Sequence, residues 1–223
     1  GEYNSKDNII NSKSISVGSL KQDTSTITPK LLSDMSEIGG SEANVTTGYH
    51  AIEFLLWGQD TNGVGEGAGM RPVSDYVTSD GQCTSGDMVN TDASVCERRG
   101  QYLKAATQLL VDDLTAMEAQ WQPESENTLR SDMIARKDSN AVRQIMYQMG
   151  SLALGELASE RMQVAFVTGS TEDEHECFSD LTHLSYANNA RGIQNVFNGN
   201  YKDIAGQSIG GYGVKQYLID TDH

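Results

Sequence analysis

Five stretches of this chain place apolar residues at every third or fourth position, and most open on a capping residue and close on glycine. That periodicity is the strongest constraint on the fold, because it leaves room for helices and little else. Thr28-Pro29 pairs a cap with proline at the first helical position, and the helix is predicted over Lys30 to Ile38, stopping at Gly39-Gly40. Ser41 caps the second, which carries Val45, Tyr49, Ile52, Leu55 and Leu56 and ends at Gly58. A long third helix starts at Asp92 or Ser94, keeps Tyr102, Leu103, Ala106, Leu109, Leu110, Leu114 and Met117 on one stripe, and ends near Trp121. The fourth spans about Ser139 to Val167, and its small residues Gly150, Ala153, Gly155 and Ala158 imply close approach of a neighbouring helix. Ser179 caps the fifth, which runs through Leu184, Ile193 and Val196 to Gly199. A glycine-rich turn from Gly206 to Gly213 precedes a last short amphipathic piece. No convincing strand alternation and no internal repeat occur, and residues 1–28 are polar and read as irregular. The fold class is all-α, an antiparallel helical bundle.

A hydrophobic content of 37% in 223 residues is enough for a packed core. Charge is the outlier: 16 Lys and Arg against 31 Asp and Glu, a formal net charge of −15. Affinity for nucleic acid comes largely from Lys and Arg displacing counterions, so nucleic acid is excluded as a partner, as is adhesion to anionic membranes. Cation binding and solubility in a salty exterior both fit, and the acidity alone does not choose between them. No apolar run approaches the ~18 residues of a membrane span. The chain opens at Gly1-Glu2-Tyr3 without Met and reads as a processed or partial chain, the middle of a longer protein.

Residues 61–94 form a long loop insertion rich in Gly, Ser, Thr and Asp. Cys83 and Cys96 fall in or beside it, and a disulfide between them would stabilise the chain by about 3 kcal/mol in an oxidising compartment. A metal or redox role is the weaker reading, because neither a CxxC nor a nearby His accompanies them. Cys177 is left over by that pairing.

Apart from the terminal His223, the histidines fall in two short motifs. In Gly48-Tyr49-His50-Ala51-Ile52-Glu53, imidazole and carboxylate stand three apart and project from nearly the same helix face. That spacing offers two ligands to one metal ion, although a surface contact or a buried polar bridge uses it too. Tyr49 and Trp57 flank the pair and suggest a packed environment. The second motif, Glu172 to His183, gathers Glu172, Asp173, Glu174, Glu176 and Asp180 with His175, His183 and Cys177. Helix capping accounts for Ser179 and some of the acids, because the N-terminus of a helix favours negative charge. It does not account for His175 and His183. Together the motifs supply a mixed nitrogen and oxygen donor set, suited to iron, manganese, zinc or copper rather than calcium. Structural polar networks are the alternative. No HExxH, GxSxG, Walker loop, GxGxxG or CxxCH occurs, and Ser179, Asp180 and His183 are too close in sequence for triad geometry.

Gly48-x-His50-x-x-Glu53, set in Thr46-Thr47-Gly48-Tyr49-His50-Ala51-Ile52-Glu53-Phe54-Leu55-Leu56-Trp57-Gly58, resembles the signature of the imelysin family. Leu157-Ala158-Ser159-Glu160-Arg161-Met162 and the Glu172–His183 segment resemble that family's other recurring region, continued by Ala190-Arg191-Gly192-Ile193. Leu181 departs from it, standing where Asn is common. The resemblance implies two facing helical bundles, of which this chain is part, in a bacterial envelope protein, periplasmic or outer-membrane-associated. His50 and Glu53 map onto the family's defining motif, and with His175, Asp180 and His183 of the second motif they make up the expected metal site, with iron favoured and zinc the other candidate. The expected role is binding of iron or an iron chelate in uptake, with an outer-membrane receptor as a candidate partner. Two alternatives follow: a metallopeptidase in which Glu53 is the catalytic base, and an interaction module whose polar clusters are purely structural.

Overall fold

The computed structural model describes residues 8–41, 44–63, 65–85, 92–136 and 138–222. Residues 86–91 of the loop insertion and the terminal His223 lie outside them. The chain is mostly helical and divides into two compact units, residues 1–61 with 68–119, and residues 62–67 with 120–223.

The first unit opens on an antiparallel hairpin, β1 (Ser14–Val17) and β2 (Leu20–Asp23), paired from Ser14 with Asp23 to Val17 with Leu20. Here the expectation of an irregular segment is corrected. The strands are too short to show alternation, and only Ile15 of their apolar residues is buried. Helix α1 (Pro29–Met35) starts as expected, with the Thr28 hydroxyl accepting from Leu31 N–H at 3.1 Å and proline in the first turn. It ends before Ile38, because Ser36 turns extended and Glu37 takes a left-handed conformation. Helix α2 (Gly48–Trp57) begins later than expected: Thr47, not Ser41, occupies the cap position, and Gly58 closes it. Helix α3 (Ala93–Ala119) is the long helix of the sequence.

The core of this unit joins Ile9, Ile15, Ile27, Leu32 and Met35 to Ala105 and Ala106 of α3, with Ile52 of α2 and Tyr102 packed against it. Two small alanines on α3 let the hairpin and α1 approach closely. The stripe thins toward the C-terminal end of α3, where Leu114 and Met117 are exposed. Arg98, buried on α3, donates to the carbonyls of Ile9, Ile10, Ser12, Thr24 and Ser25, tying the N-terminal segment to the helix.

In the second unit, α4 (Leu129–Ala135) was not anticipated. Its signal is a capping box: the Thr128 hydroxyl accepts from Ser131 N–H, and Ser131 Oγ accepts from Thr128 N–H. The predicted fourth helix is three consecutive pieces, α5 (Asp138–Gly150), a wide-turn π segment (Ser151–Gln163) and α6 (Val164–Thr168). A Cβ added at Gly150 or Gly155 would meet nothing within 4 Å, so among the described residues no neighbouring helix approaches those glycines closely. Helix α7 (Thr182–Asn198) packs on the π segment, with the Tyr186 hydroxyl donating to the Arg161 carbonyl and Arg161 Nη1 donating to Asn189 Oδ1 at 3.0 Å. Gly199, at φ 67°, ends α7 where any side chain would strike the backbone of Gly213. The second hairpin follows, β3 (Asn200–Lys202) and β4 (Ser208–Gly210), then α8 (Val214–Asp220). No helix among the described residues is long and apolar enough to cross a membrane.

Candidate metal centre

Helix α2 presents the first ligand pair. Gly48 sits in its first turn at φ 88° with open space around its Cβ position, so the glycine is required by backbone conformation and not by crowding. His50 and Glu53 stand one turn apart, with His50 Nδ1 and Glu53 Oε2 separated by 3.1 Å. The carboxylate is buried, its side chain 7% exposed, whereas the imidazole is 48% exposed. The packed surroundings expected from Tyr49 and Trp57 therefore hold for Glu53 only; Tyr49 itself is exposed. Donors 3.1 Å apart can share a proton or bind one ion at ~2.1 Å each, so the pair fits a metal with mixed nitrogen and oxygen ligands.

Both ends of α2 are tied down. At its start, the Thr46 hydroxyl donates to the Leu32 carbonyl at 2.7 Å, and the Thr46 carbonyl accepts from Tyr102 at 3.0 Å. Burial pushes the Tyr102 hydroxyl up to about 12. At its end, the last-turn carbonyls are met by the following loop, the Phe54 carbonyl accepting from Gly58 N–H at 2.8 Å as well. Arg71 N–H donates to Trp57 and Arg71 Nη2 to Phe54, at 2.8 and 3.0 Å, and the Tyr76 hydroxyl donates to Leu55. The Arg71 guanidinium also lies 5.2 Å over the Phe54 ring. Beneath them sits Asp75, almost fully buried, whose carboxylate accepts from Arg71 at 2.7 Å and from the Thr84 hydroxyl at 2.6 Å. Arg99 of α3 reaches the same carboxylate at 3.9 Å and donates to the Asp75 carbonyl and to Ser85 Oγ. A disulfide between Cys83 and Cys96, with Cα atoms 5.9 Å apart, joins the loop to α3 beside this cluster.

In the second unit the acidic motif folds into a 3₁₀ turn (Thr171–Asp173) and the approach to α7. Ser179 is buried but does not cap the helix; Leu181 holds the cap position without a side-chain bond. Instead, the Thr182 hydroxyl accepts from Glu176 N–H at 3.1 Å and donates to Glu174 at 3.3 Å. His175 Nε2 lies 3.8 Å from Glu176 Oε1, and these two side chains are able to offer donor atoms to a metal ion. The His175 ring stacks on Tyr186 at 6.4 Å between centroids and 10° between planes. Burial, with a smaller contribution from Glu174, raises the Tyr186 hydroxyl above its ordinary value. Asp180 adopts φ 56° and accepts from Gly67 N–H at 2.8 Å, so one of its oxygens closes a loop. His183 lies exposed in the first turn of α7.

Each unit thus brings one imidazole and one carboxylate together: His50 with Glu53, and His175 with Glu176. The model of the peptidase M75 family, imelysin, matches residues 4–223, nearly the whole chain and both motifs. The chain belongs to the imelysin family. No curated protein matches it. The Gly48-x-His50-x-x-Glu53 motif within the matched span is an N-terminal helix turn, an exposed imidazole and a buried carboxylate on α2.

Sequence reading passed over Arg71, Asp75, Tyr76, Arg99 and Tyr186. Two signals pointed to Arg71, Asp75 and Arg99. Arg71-Pro72-x-x-Asp75 places opposite charges four apart beside a proline, and Arg98-Arg99 puts two adjacent cations in the second turn of α3, next to the start of its apolar stripe. Cations in that position call for a compensating partner, and both have one.

Proposed function

We propose that this imelysin-family chain binds a metal ion, iron or an iron chelate, for uptake at a bacterial envelope, in the periplasm or associated with the outer membrane. The observation that carries the reading is the buried Glu53 carboxylate held 3.1 Å from a solvent-accessible imidazole, an oxygen and a nitrogen donor on one helix turn. His50 and Glu53 would hold the ion in the first unit, and His175, Asp180 and His183 are the candidate ligands of the second. A mixed imidazole and carboxylate set suits iron, with zinc the competing ion. The net charge of −15 favours cations over anions as cargo. An outer-membrane receptor is the proposed partner. The test is elemental analysis of protein dialysed against ferrous, ferric and zinc salts. Near-stoichiometric iron retention that falls about tenfold or more in His50→Ala is expected; retention indifferent to that substitution would remove the reading.

A second reading, metallopeptidase, is favoured by the peptidase classification of the family and by the buried carboxylate one turn from His50. A bound ion would supply Lewis-acid polarisation, and Glu53 would accept the proton from the attacking water. Proteolysis by highly purified protein, sensitive to chelator and abolished in Glu53→Gln, would establish it; proteolysis that survives Glu53→Gln belongs to a contaminant.

A further inference from the structure

We propose that Arg71, Asp75, Tyr76 and Arg99 are positioning residues for the His50–Glu53 pair, a buried clamp that fixes the turn of α2 from which Glu53 projects; the proposal rests on the metal-binding reading above. Glu53 is followed directly by the two residues whose carbonyls the clamp holds, Phe54 through Arg71 Nη2 and Leu55 through the Tyr76 hydroxyl, and Arg71 N–H takes the carbonyl of Trp57. Three attachments within one turn, on Phe54, Leu55 and Trp57, fix both the axial position of α2 and its rotation. Rotation matters most, because a helix turned by one residue step moves its side chains by about 100°.

The clamp is itself held from below. Asp75 is nearly inaccessible and engages Arg71, Thr84 and Arg99, and Arg99 descends from α3 one turn after the disulfide-bonded Cys96. A hydrogen-bonding need alone does not explain so many ionic groups at the end of one helix. Arg71 Nε is buried and finds no partner among the described residues, so the arginine is retained despite an unmet donor. Its guanidinium reaches Asp75, the Phe54 carbonyl and the Phe54 ring together, a combination that the single ammonium of lysine cannot reproduce.

Arg98 supplies an internal control. It is buried on the same helix, next in sequence to Arg99, and its five acceptors all belong to the N-terminal segment. Arg98→Lys and Arg99→Lys therefore remove comparable buried guanidinium contacts from one unit, yet only Arg99 faces the clamp.

The experiment compares zinc affinity, by isothermal titration, and the imidazole nitrogen-15 signal of metal-free His50, in wild type and in Arg98→Lys, Arg99→Lys, Asp75→Asn and Tyr76→Phe. Tyr76→Phe removes a single hydroxyl and keeps the ring, so it provides a folded variant if Asp75→Asn does not fold. The clamp variants are expected to weaken zinc binding about tenfold or more and to shift the His50 signal toward that of Glu53→Gln, while Arg98→Lys changes affinity less than about twofold. Equal losses in Arg98→Lys and Arg99→Lys, or an unmoved His50 signal in folded clamp variants, would overturn the positioning role. Should wild type bind no zinc or iron, the metal reading falls, and the His50 signal still decides whether the clamp sets the pair.

Discussion

At the scale of single residues, the signature of this family divides its labour. Gly48 lets the backbone enter α2 at φ 88°, His50 meets solvent, and Glu53 is withdrawn from it. Gly48→Ala is expected to lower stability by about 1–3 kcal/mol, since the added Cβ meets no neighbour and the whole effect is backbone strain. Chemical denaturation reads it directly, and Gly48→Asn, which tolerates positive φ better, should recover part of the loss. Tyr102 makes a separate prediction. Its neutral form is favoured in the fold because burial raises its pKa from 10.0 to about 12. The stabilisation is therefore complete below pH ~10 and disappears as the pH rises through 12, a loss on the order of 2 kcal/mol. Denaturant midpoints measured across that range should fall in wild type and flatten in Tyr102→Phe.

At the scale of elements, α2 is tied at both ends, by Thr46 at its start and by the loop after Gly58 at its end. That loop reads as an insertion in the sequence, and in the fold its residues 71–85 are structural partners of α2 and α3. Replacing both cysteines, Cys83→Ser with Cys96→Ser, should lower the unfolding free energy by about 3 kcal/mol for a loop of this length. A thermal melt in the absence of reductant measures it, and a change below about 1 kcal/mol would mean that the buried polar cluster holds the loop unaided.

The helices were legible because their signals are local. Thr28-Pro29, the spacing of Tyr102, Ala106 and Leu109, and Gly199 each act within a turn or two of the residues they organise. Two short hairpins escaped, since three- or four-residue strands leave no room for a period. The start of α2 escaped for another reason: Ser41 satisfies the local pattern of a cap, but Thr46 finds a tertiary partner in Leu32 and the helix begins after it. His50 and Glu53 could be named from spacing alone. The clamp could not, because Arg99 comes from α3 and Arg71 and Asp75 from the loop before it, and only the fold shows that their charges answer one another.

For the whole molecule, family membership and charge point the same way. The chain is an imelysin-family member with a formal net charge of −15, and among the described residues each compact unit places an imidazole beside a carboxylate. The central claim is that His50 and Glu53 are ligands and not merely hydrogen-bonded to each other. X-ray absorption of the zinc-loaded protein tests it most directly. The expected spectrum shows nitrogen and oxygen ligands at about 2.0–2.2 Å with imidazole multiple scattering that weakens in His50→Ala. A shell of oxygen alone, or imidazole scattering undiminished in His50→Ala, would contradict it.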